Sequence, residues 1–278
     1  MHLAAHGWDL GLLPTLGGSI GHLRWEGEDI LRPAPANAAS PVETAGFPLL
    51  PYANRIAHGR FRQAGRDWQL PRNAGDHPHS LHGVGWQREW EGEAAGEAEL
   101  VLRLLHPGDE SWPWPFRAEQ RFRLTPTAFH HSLSLRNLAE APVPVGLGFH
   151  PYFPRHAESR LTAQVSSAWE IDATCLPLQR TAADRFGDWA AGGSLNPSFL
   201  IDNAHEGWDG SATISRPGQT LRLSTEGTGV LHLYVPPGED FFCVEPVTHL
   251  PDAINRGGMA LLAPGATASI SMALSPAG

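Results

Sequence analysis

Glu245 follows the apolar run Phe241-Phe242-Cys243-Val244 and precedes Pro246, which places a carboxylate at the end of a buried strand, just before a residue that cannot donate to a ladder. Burying an ionised, unpaired carboxylate is costly, so this group must raise its pKa or find donors. That environment suits a general base; the plain alternative is a surface glutamate at a strand end. His150 stands in Gly146-Leu147-Gly148-Phe149-His150-Pro151-Tyr152-Phe153-Pro154, an imidazole inside an apolar, aromatic run. A buried imidazole needs a partner or a chemical task, and alone it reads equally as a satisfied core histidine. Together the two types can move protons, because the histidine reference pKa of about 6.5 lies close to neutrality.

Two further clusters carry polar groups among apolar ones. Arg55, in Pro51-Tyr52-Ala53-Asn54-Arg55-Ile56, is either half of an ion pair at a turn or a fork of donors for hydroxyl groups. The segment Asp76-His77-Pro78-His79-Ser80-Leu81-His82-Gly83 holds three histidines within six residues. The two-residue spacing of His77 and His79 would put both on one strand face, as a metal site requires. Pro78 lies between them and no supporting Glu and distant His stand out, so these two read as solvated loop histidines and no metal is expected. His82, beside a glycine that lets backbone approach a ligand, is the stronger candidate for substrate contact.

Composition narrows the chemistry. All 20 basic residues are arginine, and the absence of lysine excludes Schiff-base aldolases, pyridoxal enzymes and P-loop nucleotide enzymes. The net charge of -9, with no arginine stripe, argues against nucleic acid or an anionic membrane as partner. Cys175 and Cys243 are too few and too far apart for a disulfide framework or zinc work, which suits a reducing compartment. The N-terminus lacks a signal-peptide pattern and no segment is long enough to span a bilayer, so a cytoplasmic location is expected.

These residues must be held by strands. Glycine (30) and proline (25) are too frequent for many long helices. From Phe116 to Leu124 the even positions are Phe, Ala, Gln, Phe and Leu while the odd ones are Arg, Glu, Arg and Arg, the period-2 pattern of a half-buried strand. Similar alternation occurs in Leu100–Leu104, Ser132–Leu138, Thr220–Thr225, Val230–Val235 and Ala268–Leu274, and Thr125-Pro126-Thr127 reads as a hairpin link. No linker or fixed-period repeat divides residues 1–278. The expectation is an all-β chain, one large antiparallel domain of sandwich or barrel type.

The four clusters, in their order and spacing, resemble the aldose 1-epimerase family, the galactose mutarotase-like proteins. The matching residues are Asn54, Arg55 and Ile56 with Gly59 and Phe61, then Leu81-His82-Gly83, then His150-Pro151-Tyr152-Phe153, then Glu245 followed by Pro251-Asp252-Ala253 and Asn255. Leu200-Ile201-Asp202-Asn203, with Gly207-Trp208-Asp209-Gly210, is similar to the family's acidic segment, although Asn203 stands where a second aspartate is common. The resemblance runs over nearly the whole chain. It implies a large antiparallel β-sandwich, the galactose mutarotase-like supersandwich, and a free monosaccharide as ligand with no cofactor. By the same likeness Glu245 is the catalytic base, His150 the acid, and His82, Arg55 and Asp202 contact the sugar. A hexose-6-phosphate epimerase and a non-catalytic sugar-binding module on the same fold are the competing readings. Trp86, Tyr152 and Trp208 are candidates to stack on the ring. Glu245 and a charged His150 are expected to face each other across a gap one pyranose wide.

Overall fold

The computed structural model describes residues 1–277. Two antiparallel sheets dominate it, of eleven and nine strands. The larger runs in the order His2–Ala5, Trp8–Leu13, Ser19–Trp25, Gly46–Leu49, Gly148–Pro154, Phe241–Val247, Val230–Val235, Ile201–Glu206, Ser167–Ile171 and Pro177–Thr181, with Glu28–Asp29 added beside Ser19–Trp25. The smaller runs Glu91–Gly96, Glu99–His106, Phe116–Leu124, Phe129–Asn137, Thr267–Ala277, Gln219–Glu226, Ser211–Arg216, Arg160–Ala163 and Gly193–Ser194. This is the all-β, galactose mutarotase-like sandwich that the motifs imply.

Alternation decides which face of each strand is covered. In Phe116–Leu124 the five even residues are buried while the arginines are exposed, and Phe122 pairs with Leu100 on one side and His131 on the other. The segment Thr125–Ala128 closes the hairpin through Thr125 N donating to Ala128 O at 2.9 Å. Central strands of the larger sheet are covered on both faces. One face joins the main core through Phe149, Phe153, Phe242, Val244, Leu231 and Leu233. The other carries a second apolar cluster that includes Phe47, Tyr152, Ala204, Cys243 and Val247. The strand after Phe241 does not stop at Glu245: it continues through Pro246, which pairs with Leu231, to Val247.

The motif Pro251-Asp252-Ala253-Ile254-Asn255 clamps the segment that carries Arg55, whose short strand Arg55–Ile56 pairs with Ser80–Leu81. Asp252 N donates to Arg55 O at 2.7 Å, Asp252 Oδ1 accepts from Ala57 N at 2.9 Å, and Asn255 Nδ2 reaches Arg60 O at 2.8 Å. The only α-helix among the described residues, Ala253–Arg256, lies within this clamp. None is long and apolar enough to cross a membrane.

Burial also sequesters imidazoles in the core. His131 lies between Phe122 and Phe149, with ring centroids 4.3 and 4.5 Å away, and burial pushes its pKa down to about 3. Burial similarly lowers His205 to about 4. Both are neutral in the folded protein, whereas the unfolded chain binds protons near 6.5, so the unfolded state holds more protons below that value. Stability is therefore expected to be full above about pH 6.5 and to fall as pH drops from there towards about 4. Urea midpoints measured across this range test the assignment; a constant midpoint would mean that these imidazoles are not buried neutral.

Candidate active site

The site begins as one row across the larger sheet. His150 pairs with Phe47 on one side, and Glu245 pairs with His232 on the other. Between them, Gly148–Pro154 and Phe241–Val247 pair at Gly148↔Val247 and again at Tyr152↔Cys243, and the same register carried across the interval sets His150 opposite Glu245. Pro151 and Pro246 both fall within this interval, and neither can donate to the ladder. The interruption thus lies on one side of Glu245 only, which is why the strand survives its proline. His150 Nε2 comes within 3.4 Å of Glu245 Oε1, with both side chains buried. The two groups are side by side on the sheet rather than across a sugar-wide gap, so a ligand must sit over the pair instead of between its members.

Loops add the second tier. Leu81-His82-Gly83 is folded against Leu50: a Cβ at Gly83, whose φ is +70°, would come 2.0 Å from Leu50 O. His82, itself at φ 57°, exchanges bonds with Asn54, its N donating to Asn54 O at 2.8 Å and its Nδ1 accepting from Asn54 N at 3.1 Å. Because a backbone N–H can only donate, Nδ1 is the bare nitrogen and Nε2 carries the proton. His82 therefore offers a donor, and its ring stands edge-on to His150 at 5.4 Å. Arg55 Nη2 donates to Asp202 Oδ2 at 2.7 Å and Arg55 Nη1 to Asn54 Oδ1 at 2.9 Å. Asp202 Oδ1 bonds His232 Nε2 at 2.8 Å. Adjacent strand residues face opposite ways, so Asn203 turns from the site and bonds Trp169 O at 2.8 Å.

Desolvation dominates the electrostatics. It lowers His150 to about 3 and holds His82 well below its ordinary value, with neighbouring positive charge adding to the effect. Glu245 moves the other way: burial, reinforced by Asp202, holds its carboxyl well above the usual range, with Arg55 opposing. Asp202 is also buried, which alone would raise it, yet the His232 hydrogen bond and the Arg55 charge keep it far below the carboxylate range. Burial thus biases Glu245 towards its protonated form and His150 towards its neutral form, the reverse of the charged pair expected from the sequence. His150 Nδ1 and Glu245 Oε2 have no hydrogen-bond partner.

Above these groups opens a cleft of about 580 Å³, lined by all five residues singled out from the sequence, Arg55, His82, His150, Asp202 and Glu245. Tyr152, Tyr234 and Phe241 supply its aromatic walls. Trp208 instead belongs to the main core, and Trp86 packs on Phe47 at 5.5 Å and on His82 at 6.0 Å without lining the cleft. His79 is fully buried rather than solvated, and His77 is partly buried. Their Nδ1 atoms accept from His58 N at 3.0 Å and His79 N at 3.2 Å respectively, and His77 joins the cleft lining, its Nε2 3.4 Å from Arg55 Nε. His232 and Tyr234 were not among the expected residues. The available signal was the run Val230-Leu231-His232-Leu233-Tyr234-Val235, whose alternation puts both polar residues on the face opposite the leucines.

A sequence model described as aldose 1-epimerase matches residues 12–275. The chain belongs to the aldose 1-epimerase family. The uncharacterized protein YphB of Escherichia coli K12 is 32% identical over 265 residues, 88% of either chain. A crystal structure from Escherichia coli K12 superposes with TM-score 0.92 at 30% identity, covering 99% of this chain and 98% of that one. The galactose 1-epimerase of Lactobacillus acidophilus NCFM shares the fold, with TM-score 0.82 at 16% identity over 99% and 92% of the two chains. In this aldose 1-epimerase family member the Arg55–Asp202 pair is buried, with 9% and 6% of the side chains exposed. Removing one partner of such a pair strands the other charge, so Asp202→Ala is expected to destabilise the fold by about 3–5 kcal/mol. Urea denaturation of the variant checks this; a loss under about 1 kcal/mol would mean that the pair is solvated.

Proposed function

We propose that the protein catalyses interconversion of the α and β anomers of a free aldose, with Glu245 as base and His150 as acid. The contact between these two groups on the floor of the cleft carries the reading: 3.4 Å apart, buried, each keeping one atom without a partner. Anomer exchange removes the proton of the C1 hydroxyl while the ring oxygen gains one, and the ring opens to the aldehyde. Rotation about C1–C2 and reclosure complete the inversion. No redox step and no transfer to water is involved.

Both oxygens are bonded to C1, so a base and an acid that stand side by side can address them from one face of the sugar. A proton on Glu245 and a proton on His150 are two arrangements of the pair with the same net charge, and the second is the reactive one. Hydroxyl groups that hydrogen-bond to the carboxylate replace the water it has lost and favour the second arrangement. His82 Nε2–H is a fixed donor towards the ring, and the Arg55–Asp202–His232 chain offers both donors and acceptors to the remaining hydroxyls. The name of the galactose 1-epimerase with the same fold supports this reaction class.

The cleft favours a sugar without a phosphate. Arg55 is the only arginine lining it, and its guanidinium is already engaged by Asp202, while Glu239 lies at the wall. A dianionic group would meet no second arginine among the lining residues; Arg32 stands behind the wall, over Tyr152 and Phe241 at 4.4 and 4.5 Å, and donates to Val42 O and Thr44 O. Rates on glucose should therefore exceed those on glucose 6-phosphate.

Glu245→Gln keeps shape and removes the base, and should lower the catalysed rate of α-galactose or α-glucose mutarotation by at least about 10²-fold in polarimetry, with circular dichroism unchanged. His150→Asn should be nearly as damaging and His82→Asn milder. Wild-type rates in Glu245→Gln would remove that residue from the mechanism. The pair works with one proton, which it gains below the raised pKa of Glu245 and keeps down to the depressed pKa of His150, about 3. No loss of rate is therefore expected as pH falls through the ordinary histidine value of about 6.5 to about 5. An acid limb centred near 6.5 would show instead that His150 titrates as a solvated imidazole.

A further inference from the structure

Far along the larger sheet, His2, Asp9 and His22 bring three metal-binding side chains together on the face turned from the core. We propose that they form a surface site for a divalent cation of the zinc class. The first three strands set the geometry. Gly11 pairs with His2 on one side and with His22 on the other, so the two imidazoles flank a position that has no side chain. A Cβ at Gly11 would lie 2.4 Å from His22 Cε1; glycine leaves that space to the ring. Asp9, two residues earlier on the middle strand, shares the outward face with Gly11. Its Oδ1 is 2.6 Å from His2 Nε2 and 3.1 Å from His22 Nε2.

Donors on a tetrahedral zinc ion bound at about 2.0–2.1 Å stand about 3.3 Å apart. The His22 separation is already near that value, and His2, the most exposed of the three at 63%, can swing outward to reach it. Two imidazoles and one carboxylate are the donor set of zinc sites that keep a position for water. The backbone beneath is anchored, since the amino terminus of Met1 donates to Leu12 O at 2.7 Å and holds the first strand in register. One cation lies nearby: Arg24 pairs with Asp9 across the strands, but its Nε is bonded to Asp29 Oδ1 at 2.7 Å. Bound zinc would tie the first and third strands of the sheet through the second, and so would raise the unfolding temperature.

The test is calorimetric titration of zinc chloride into chelator-treated protein, with cobalt(II) spectra in parallel. The expected result is one equivalent bound by the wild type, with affinity at least tenfold weaker in Asp9→Asn and in His22→Gln. All three residues are at least partly exposed, so both variants should keep the wild-type dichroism and unfolding temperature in chelator. Cobalt should show no thiolate charge-transfer band, which separates this site from the buried His150, Cys243 and Glu245 donors. No zinc binding, unchanged affinity in both variants, or a thiolate band that accounts for the bound metal would each overturn the proposal. The outcome is independent of mutarotase activity.

Discussion

The cleft face of the larger sheet depends on a local failure of strand pairing. Proline at 151 and 246 interrupts the ladder between the strands of His150 and Glu245, while the register on either side of the interruption is kept. Side chains at these positions therefore remain cross-strand neighbours over a backbone that is not fully bonded. Because the sheet is covered on its other face by the main core, the strands cannot twist apart to relieve the burial. An imidazole and a carboxylate are thus held in a dry place with each other as nearest polar company. Burial is the largest cause of the shifts in both groups, and neighbouring charges add to it.

A rigid floor alone would not define a sugar site, because hydroxyls require donors and acceptors from several directions. The loops supply these, and hydrogen bonds that use up backbone groups fix them. Asn54, His58, His82 and Asp252 all have left-handed backbone, at φ between 52° and 57°, a conformation that costs free energy for residues with a Cβ. Three of them are tied directly into the clamp: Asn54 and His82 bond one another, and Asp252 bonds the segment next to Arg55. The strain is carried by the loops that present Arg55 and His82, where orientation matters more than stability. The motif around Asp252 holds this geometry from beneath, which explains its residue types without any contact to ligand.

Period-2 patterns made much of the fold legible. Phe116–Leu124 and Val230–Val235 have the predicted bounds, since alternation directly reports a sheet with one wet or functional face. The five residues singled out by motif order all line one cleft. His232 escaped because the alternation of Val230–Val235 marks a face and not a partner: its place arises from lying beside Glu245 across a strand pair joined by a short turn, and from bonding Asp202 on the next strand. Trp208 misled for the converse reason. Its position beside an acidic segment suggested the ligand, but Asp202 faces the cleft from a strand, and the Gly207 turn carries the tryptophan into the core, where Nε1 bonds Ser211 O at 2.9 Å. The proton balance of the pair was equally hidden, because a sequence shows which groups titrate and not how thoroughly each is stripped of water.

The arrangement also explains why two carboxylates so close together can behave oppositely. Asp202 and Glu245 are both buried, and burial alone would protonate both. Asp202 receives Arg55 and His232 as direct donors, and these outweigh its lost hydration. Glu245 has no such donors, and the negative charge of Asp202 works against its ionisation. The Arg55–Asp202–His232 chain therefore absorbs the available positive charge and leaves Glu245 dependent on what enters the cleft. A carboxylate satisfied in advance would be a weak base and would gain little from a hydroxyl, whereas an unsatisfied one gains most from a donor that reaches it. Selective neglect of Glu245 is, on this argument, as much a part of the site as the bonds around it.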